Sequence, residues 1–278
     1  MPKTSLLRLA LILLICHYAP LAWPKMVDKL NQADVPMANN REEDLVNAFQ
    51  HAWKQVLVKA TGSREILKHP SIAKDLPKAR THAKRHIVMP DPANANQYLL
   101  NVHFTDSAIQ TAINQAGFNL WPSDRPLTLV WLGIHDGKQE AVVSPDFTAD
   151  LARTIADQAR QRGLPAMFPL MDQEDWQALT PQHLRAEDQD RLRKAAGRYA
   201  PNAVFSGYIQ LENQQWRAQW LVLLGTQALR WSATSKDVNA LAREGVDMLV
   251  DQLAPKRATA PAAPPMPTTA TNQPPAAT

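Results

Sequence analysis

The chain has 278 residues, with 30 Lys and Arg against 26 Asp and Glu, a formal net charge of +4 and a single cysteine. No acidic residue precedes residue 23 or follows residue 255, so setting aside Lys3, Arg8, Lys256 and Arg257 leaves 26 basic residues against 26 acidic ones. That neutral interior argues against nucleic acid as a partner, which calls for a basic face; with Cys16 alone, intramolecular disulfides are excluded, as are thiolate metal sites and a cysteine nucleophile in any chain cut beyond it.

Lys3 and Arg8 lead into the apolar run from Leu9 to Ile15, the pattern of a secretory signal. The run is shorter than the roughly 20 apolar residues needed to cross a bilayer. Residues 1–22 are therefore expected to be a signal peptide, with a mature start near Trp23 in the periplasm. Left uncleaved, the same segment would be the membrane contact. Ile15 stands where a lipidation signal wants a small residue before Cys16.

Asn39 or Asn40 is expected to cap a helix opening on Arg41-Glu42-Glu43-Asp44. Leu45, Ala48, Phe49, Ala52, Trp53, Val56 and Ala60 recur at helical spacing, and Gly62 marks the stop. Tyr98, Leu100, Val102 and Phe104 alternate as a strand, with Asn101 and His103 on its other face. Asp106 is read as the cap of a short helix carrying Ile109, Ala112, Ile113 and Ala116, closed by Gly117.

The two prolines of Trp121-Pro122-Ser123-Asp124-Arg125-Pro126 place a boundary there. The run from Leu127 to Leu132 reads as a central strand covered on both faces. Ser144-Pro145-Asp146 should open a helix with the stripe Leu151, Ile155 and Ala159, ended by Gly163 before a strand from Leu164 to Leu170. Strand, helix and strand in that order suggest a βαβ unit. A helix from Asp188 to Tyr199 leads to strands at residues 203–211, 216–223 and 228–233, an antiparallel meander turning at Glu212-Asn213-Gln214 and Gly225-Thr226-Gln227. A last helix from Asp237 to about Leu253 points Val238, Leu241, Met248, Leu249 and Leu253 at that sheet. Beyond it, Pro255 to Thr278 is nearly all Pro, Ala and Thr, the composition of a disordered tail. The expected fold is α/β (α+β): mixed sheets packed with helices in two small subdomains, 23–122 and 126–254.

Several stretches together resemble a known family. They are Val35-Pro36, Arg41 to Trp53, Val56-Leu57-Val58-Lys59-Ala60-Thr61-Gly62, and Leu67, Pro70 and Ile72, then Ala116-Gly117 to Trp121 and Arg125-Pro126 to Leu132. Arg162-Gly163-Leu164-Pro165, Phe168 to Asp172, Tyr199 with Asn202-Ala203-Val204, and Trp216 to Trp220 complete the pattern. It is similar to the proteobacterial family called domain of unknown function 2066, over residues 27 to 254. Ala60 departs from the β-branched residue usual there, and Phe118-Asn119 from an expected Leu-Pro. The resemblance implies a secreted envelope protein and carries over no reaction.

Four groups of residues could carry chemistry. Asp172, Glu174 and Asp175 follow the strand ending at Leu170 and could hold a divalent cation, but they lack the oxygen spacing and glycine of a calcium loop. We read them as first-turn acids of a helix through Trp176. His135, Asp136 and Ser144 suggest a nucleophilic triad, yet no Gly-x-Ser-x-Gly elbow exists, and Asp136-Gly137 reads as a turn with Ser144 as a cap. Seven Lys and Arg between Arg64 and His86, with His69, His82 and His86, could meet an anionic surface; a solvated helix face and loop is the plainer account. Trp216, Trp220 and Trp231 could form a platform for sugar or peptide, and alternation assigns them rather to core packing. No catalytic, cofactor-binding or metal residue and no cofactor is assigned. The function expected is a non-catalytic binding or assembly module that meets another envelope protein or an envelope polymer, with a hydrolase of envelope material as the alternative.

Overall fold

The computed structural model describes residues 25–26, 29–92 and 94–255. The expected signal segment and all but the first residue of the expected tail lie outside the described residues. The chain is a mixed α+β protein in which a three-stranded and a six-stranded sheet each build their own core.

A short pairing, β1 (Lys25–Met26) with β5 (Asp124–Arg125), ties the ends of the first part together. Between them run β2 (Gln32–Met37), α1 (Glu42–Thr61), α2 (Pro70–Asp75), β3 (Ala83–Asp91), β4 (Asn94–Phe104) and α3 (Asp106–Gln115), with 3-10 turns at Arg64–Lys68 and Leu76–His82. The sheet order is β2-β4-β3, all antiparallel. Helix α1 forms because its apolar residues repeat every three or four positions, and Phe49, Ala52, Trp53 and Val56 share one core with Val35, Leu100, Val102 and Phe104. Gly62 ends it in the left-handed region at φ 68°.

Arg41, not Asn39 or Asn40, is the cap position, and no side chain bonds there; the acidic first turn is present as expected. Thr105 occupies the cap position of α3, and Asp106 instead accepts from Asn31 Nδ2 at 3.0 Å. The stretch expected as helix face and loop runs into β3 from Ala83, where His86 pairs with Val102 and Val88 with Leu100. Neither that strand nor β2 was anticipated: β3 is a mostly exposed edge without alternation, and β2 alternates over Ala33, Val35 and Met37 but carries Pro36, which speaks against a strand except at a sheet edge, where β2 lies.

The second part contains β6 (Thr128–His135), β7 (Glu140–Val142), α4 (Ala149–Gln161), β8 (Ala166–Met167), α5 (Gln173–Ala178), α6 (Pro181–Arg185), α7 (Gln189–Ala196), β9 (Ala203–Glu212), β10 (Gln215–Leu224), β11 (Gln227–Ser235) and α8 (Val238–Leu253). The sheet order is β11-β10-β9-β6-β7, with β8 on β6. β6 lies parallel to both β8 and β9, and the other pairings are antiparallel. The first six residues of β6 are buried, as a strand covered on both faces requires. Val130, Leu132, Phe205, Trp220 and Val222 face α4 and α8. Leu129, Trp131, Val204, Tyr208 and Leu221 face the side of α5, α6 and α7. The βαβ unit is present, but its second strand is two residues rather than the seven expected, because the chain leaves β6 after pairing Leu129 with Met167. Helix α4 starts at Ala149; Ser144 heads a preceding turn, accepting from Phe147 N–H through Oγ at 3.3 Å. In α8 the buried face holds Ala242, Gly245, Val246 and Val250 beside Leu241 and Leu249.

Candidate functional site

The two parts meet at a joint made of buried charge. Arg162, 2% exposed, bonds Asp247 Oδ1, donates to the Gly62 carbonyl at 2.7 Å and reaches Asp251 at 2.5 Å. Arg64 reaches Asp247 from the first part at 2.6 Å, and Gln158 completes that carboxylate at 2.7 Å. Arg125, fully buried, donates to the carbonyls of Gly163, Trp121 and Pro122 at 2.7, 3.0 and 3.0 Å, with its guanidinium 4.2 Å from the Trp121 ring centre. Both arginines thus sit at helix C-terminal carbonyls, Arg162 behind α1 and Arg125 behind α4, where the helix dipole favours a cation. The glycines make the closeness possible. A Cβ on Gly163, at φ 70°, would fall 2.1 Å from Arg125 Nη1 and 3.0 Å from the Lys59 carbonyl oxygen. One on Gly62 would fall 2.5 Å from Trp121 and 2.6 Å from Ala254.

Beside this joint lies a cleft of about 470 Å³. Its walls are the outward edge of β2 (Gln32, Asp34, Pro36), Gln55 and Lys59 of α1, and Arg160, Gly163 and Ala166 of the second part. Lys59 Nζ donates to the Gln32 carbonyl at 2.8 Å. Burial pulls its pKa from 10.5 down to about 8; Asp34 acts against that, and Arg160 and Arg125 reinforce it. A lysine partly buried in the wall of a cleft, with its head at the opening, marks a candidate functional site. It was hidden in the sequence because Lys59 sits on the polar flank of α1, where lysine is ordinary, and the cleft needs residues more than 100 positions apart.

Most of the sequence candidates serve structural contacts. Asp172 caps α5 by accepting from Asp175 N–H at 3.1 Å, and Arg198 grips both its oxygens at 2.7 Å. The bond to Arg198 holds the Asp172 pKa far below the carboxylate range and raises that of Arg198. Asp175, fully buried, accepts from Arg198 at 3.0 Å, from the Tyr199 hydroxyl and from Met171 N–H at 2.9 Å. Burial, and then this bond, pushes Tyr199 up to about 12. These carboxylates are therefore engaged by protein donors, and no group of three or more His, Cys, Asp or Glu suited to a metal occurs among the described residues. Asp136 accepts from Gln139 and Lys138 N–H at 2.7 and 2.8 Å, which lowers its pKa and makes it the turn between β6 and β7. His135 Nδ1 accepts from Gly137 N–H at 3.3 Å, and Ser144 is buried. The three do not form a triad.

In the basic stretch, His69 caps α2, and His82 Nε2 and Trp53 Nε1 each bond Asp75 at 2.9 Å. His86 packs edge-on to Phe49 at 5.1 Å. Arg64, Lys68 and Arg80 pair with Asp247, Glu65 and Glu42. Trp220 is fully buried, stacked on Phe205 at 5.2 Å, and Trp231 stacks on the same ring at 6.1 Å, so these indoles are core. Trp216 packs against the same core.

A family model described as a domain of unknown function (DUF8605) matches residues 25–122. This corrects the resemblance to domain of unknown function 2066. The residues that suggested it, the apolar stripe of α1, the glycine stops and the strand of β6, are ones that packing demands of many unrelated α+β chains. Among curated proteins no relative matches. Among solved structures, the N-terminal domain of Thermus thermophilus Protein Y is similar over 45% of this chain and 91% of its own, at 13% identity and a TM-score of 0.23. So loose a likeness places no residue. What the comparisons establish is that the first part of the chain, residues 25–122, matches a domain of unknown function.

Proposed function

We propose that the protein is an exported, non-catalytic binding or assembly module of the cell envelope, which takes its ligand in the cleft between β2 and the end of α4. The observation that carries the reading is the cleft itself: both parts of the chain wall it, and the contacts of Arg162 with Gly62, Arg64 with Asp247 and Arg125 with Gly163 fix those walls relative to one another. A preformed concave site of this size suits a small ligand or a short segment of a larger one. Export rests on the basic start and apolar run of residues 3–15, and on the lack of any cysteine after Cys16. Binding is favoured over hydrolysis because His135, Asp136 and Ser144 are committed to local turns, as given above.

The test is photo-crosslinking in cells. A photoreactive residue replaces Gln55 in the cleft, and a control replaces Arg243 on the outer side of α8. The expected result is a discrete adduct from position 55 in the envelope fraction and none from position 243. Equal labelling from both, or protein recovered only in the cytosol, would overturn the reading.

A further inference from the structure

We propose that the cleft is an oxyanion site, in which Lys59 pairs with a carboxylate or phosphate group of a small ligand. This rests on the cleft being the binding site. The charged residues lining it are Lys29, Lys59 and Arg160 against Asp34 alone, and Asp34 already accepts from Asn101 Nδ2 at 2.6 Å. Arg160 is shared with Asp157 at 2.9 Å on the exposed side of α4. Lys59 has no carboxylate within ion-pair distance among the described residues; its bond to the Gln32 carbonyl uses one of three N–H donors. Its stem lies against Gly163, so the ammonium is held at the wall of the cleft.

An ammonium desolvated without a counter-ion is costly, and an incoming anion recovers that cost. The surrounding positive charge of Arg160, Lys29 and the Arg125 behind Gly163 acts in the same direction. The remainder of the lining, Gln55, Gln161 and Asn101, offers amide donors and acceptors to a neutral polar portion of the ligand. The site therefore takes a compact molecule with one anionic end and a polar body.

Calorimetric titration of the purified protein tests this with three probes: inorganic phosphate, N-acetyl-alanyl-alanine with its free carboxylate, and the same dipeptide as its terminal amide. We expect the acid or phosphate to bind and the amide to bind at least about tenfold more weakly, the usual consequence of leaving a buried charge unpaired. Phosphate alone or the acid alone would identify the source of the anion. Lys59→Met should weaken the bound acid or phosphate about tenfold, exposed Arg160→Gln about threefold, and Asp34→Asn should strengthen it. Urea unfolding of each variant accompanies the titration, so that Lys59 acting only as a strut between α1 and β2 would move stability and leave affinity alone. That outcome, or an amide that binds as tightly as the acid, overturns the oxyanion assignment while the cleft stands as the site. If no probe binds but position 55 still captures a cellular ligand, the assignment alone falls; if neither occurs, both readings fall.

Discussion

Asp247 is the hub of the joint, because it answers Arg162, Arg64 and Gln158 at once. Removing one member of a buried pair costs about 3–5 kcal/mol, since the other charge is left behind. Asp247→Ala is therefore expected to cost at least that much in urea unfolding, and Arg162→Met less, because Asp247 keeps Arg64 and Gln158. Equal costs would mean that the carboxylate is not the hub. Glycine substitutions separate close packing from mere location. Gly163→Ala, which drives a Cβ into Arg125 and the Lys59 carbonyl, should cost more than about 2 kcal/mol. Gly197→Ala, where a Cβ meets nothing within 4 Å in a helical conformation, should be neutral or stabilising by about 0.5–1 kcal/mol. Neither arginine of the joint could be singled out from the sequence. Arg125 and Arg162 are two among many, and what makes them special is two helix ends that only folding brings near.

At the level of elements, helices with a clear stripe were legible and exposed or short strands were not. Helix α8 and the meander were anticipated within a residue or two, and their junction shows why. The Trp220 indole fills the space a side chain at Gly245 would need, with a Cβ there reaching 2.7 Å from the ring. Gly245→Ala should therefore push α8 off the sheet and cost about 1–3 kcal/mol by thermal unfolding, the range for overpacking a dense core. The β9–β10 turn makes the opposite prediction. Asn213 and Gln214 both hold positive φ, 50° and 63°, as a two-residue turn matched to the strand twist demands. Gln214→Gly should relieve the strain and stabilise by about 1 kcal/mol. By contrast β3 takes its conformation from its partner β4, Pro36 masks the alternation of β2, and β8 is far shorter than its apolar run implied, because only two of its residues pair with β6.

Across the whole molecule, Lys59 links the cleft to folding. Its folded pKa of about 8 lies below the ordinary 10.5, so the unfolded chain binds the extra proton between those values. Stability should then be lowest with respect to this group below about pH 8 and should rise with pH above it. The rise is opposed from about pH 10 upward, because burial and the Glu140 bond push Tyr208 up to about 12, and Tyr199 shifts likewise, so both lose stabilisation as they ionise in the unfolded chain. Urea midpoints measured from pH 7 to 10 should increase in the wild type relative to Lys59→Met, whose curve lacks the lysine contribution. A wild-type curve parallel to the variant's would show that Lys59 is fully solvated.

Residue type and period by themselves determined the long helices, the buried central strand β6, the meander and the mixed α+β class. A stripe that repeats every 3.6 residues, or an apolar run broken by turn residues, has few ways to hide from water. They also determined which candidates were ordinary: Asp136 in a turn and Trp220 in the core, with Glu174 and Asp175 in the first turn of a helix, whereas the structure moves Asp172 one step back to the cap. Tertiary structure alone decided the joint and the cleft. Arg162 meets Asp247 across 85 positions and Gly62 across 100, and Lys59 acquires its depressed pKa from burial beside β2 and α4. A charge becomes special through the water it loses and the partners it meets, and both are properties of the assembled fold.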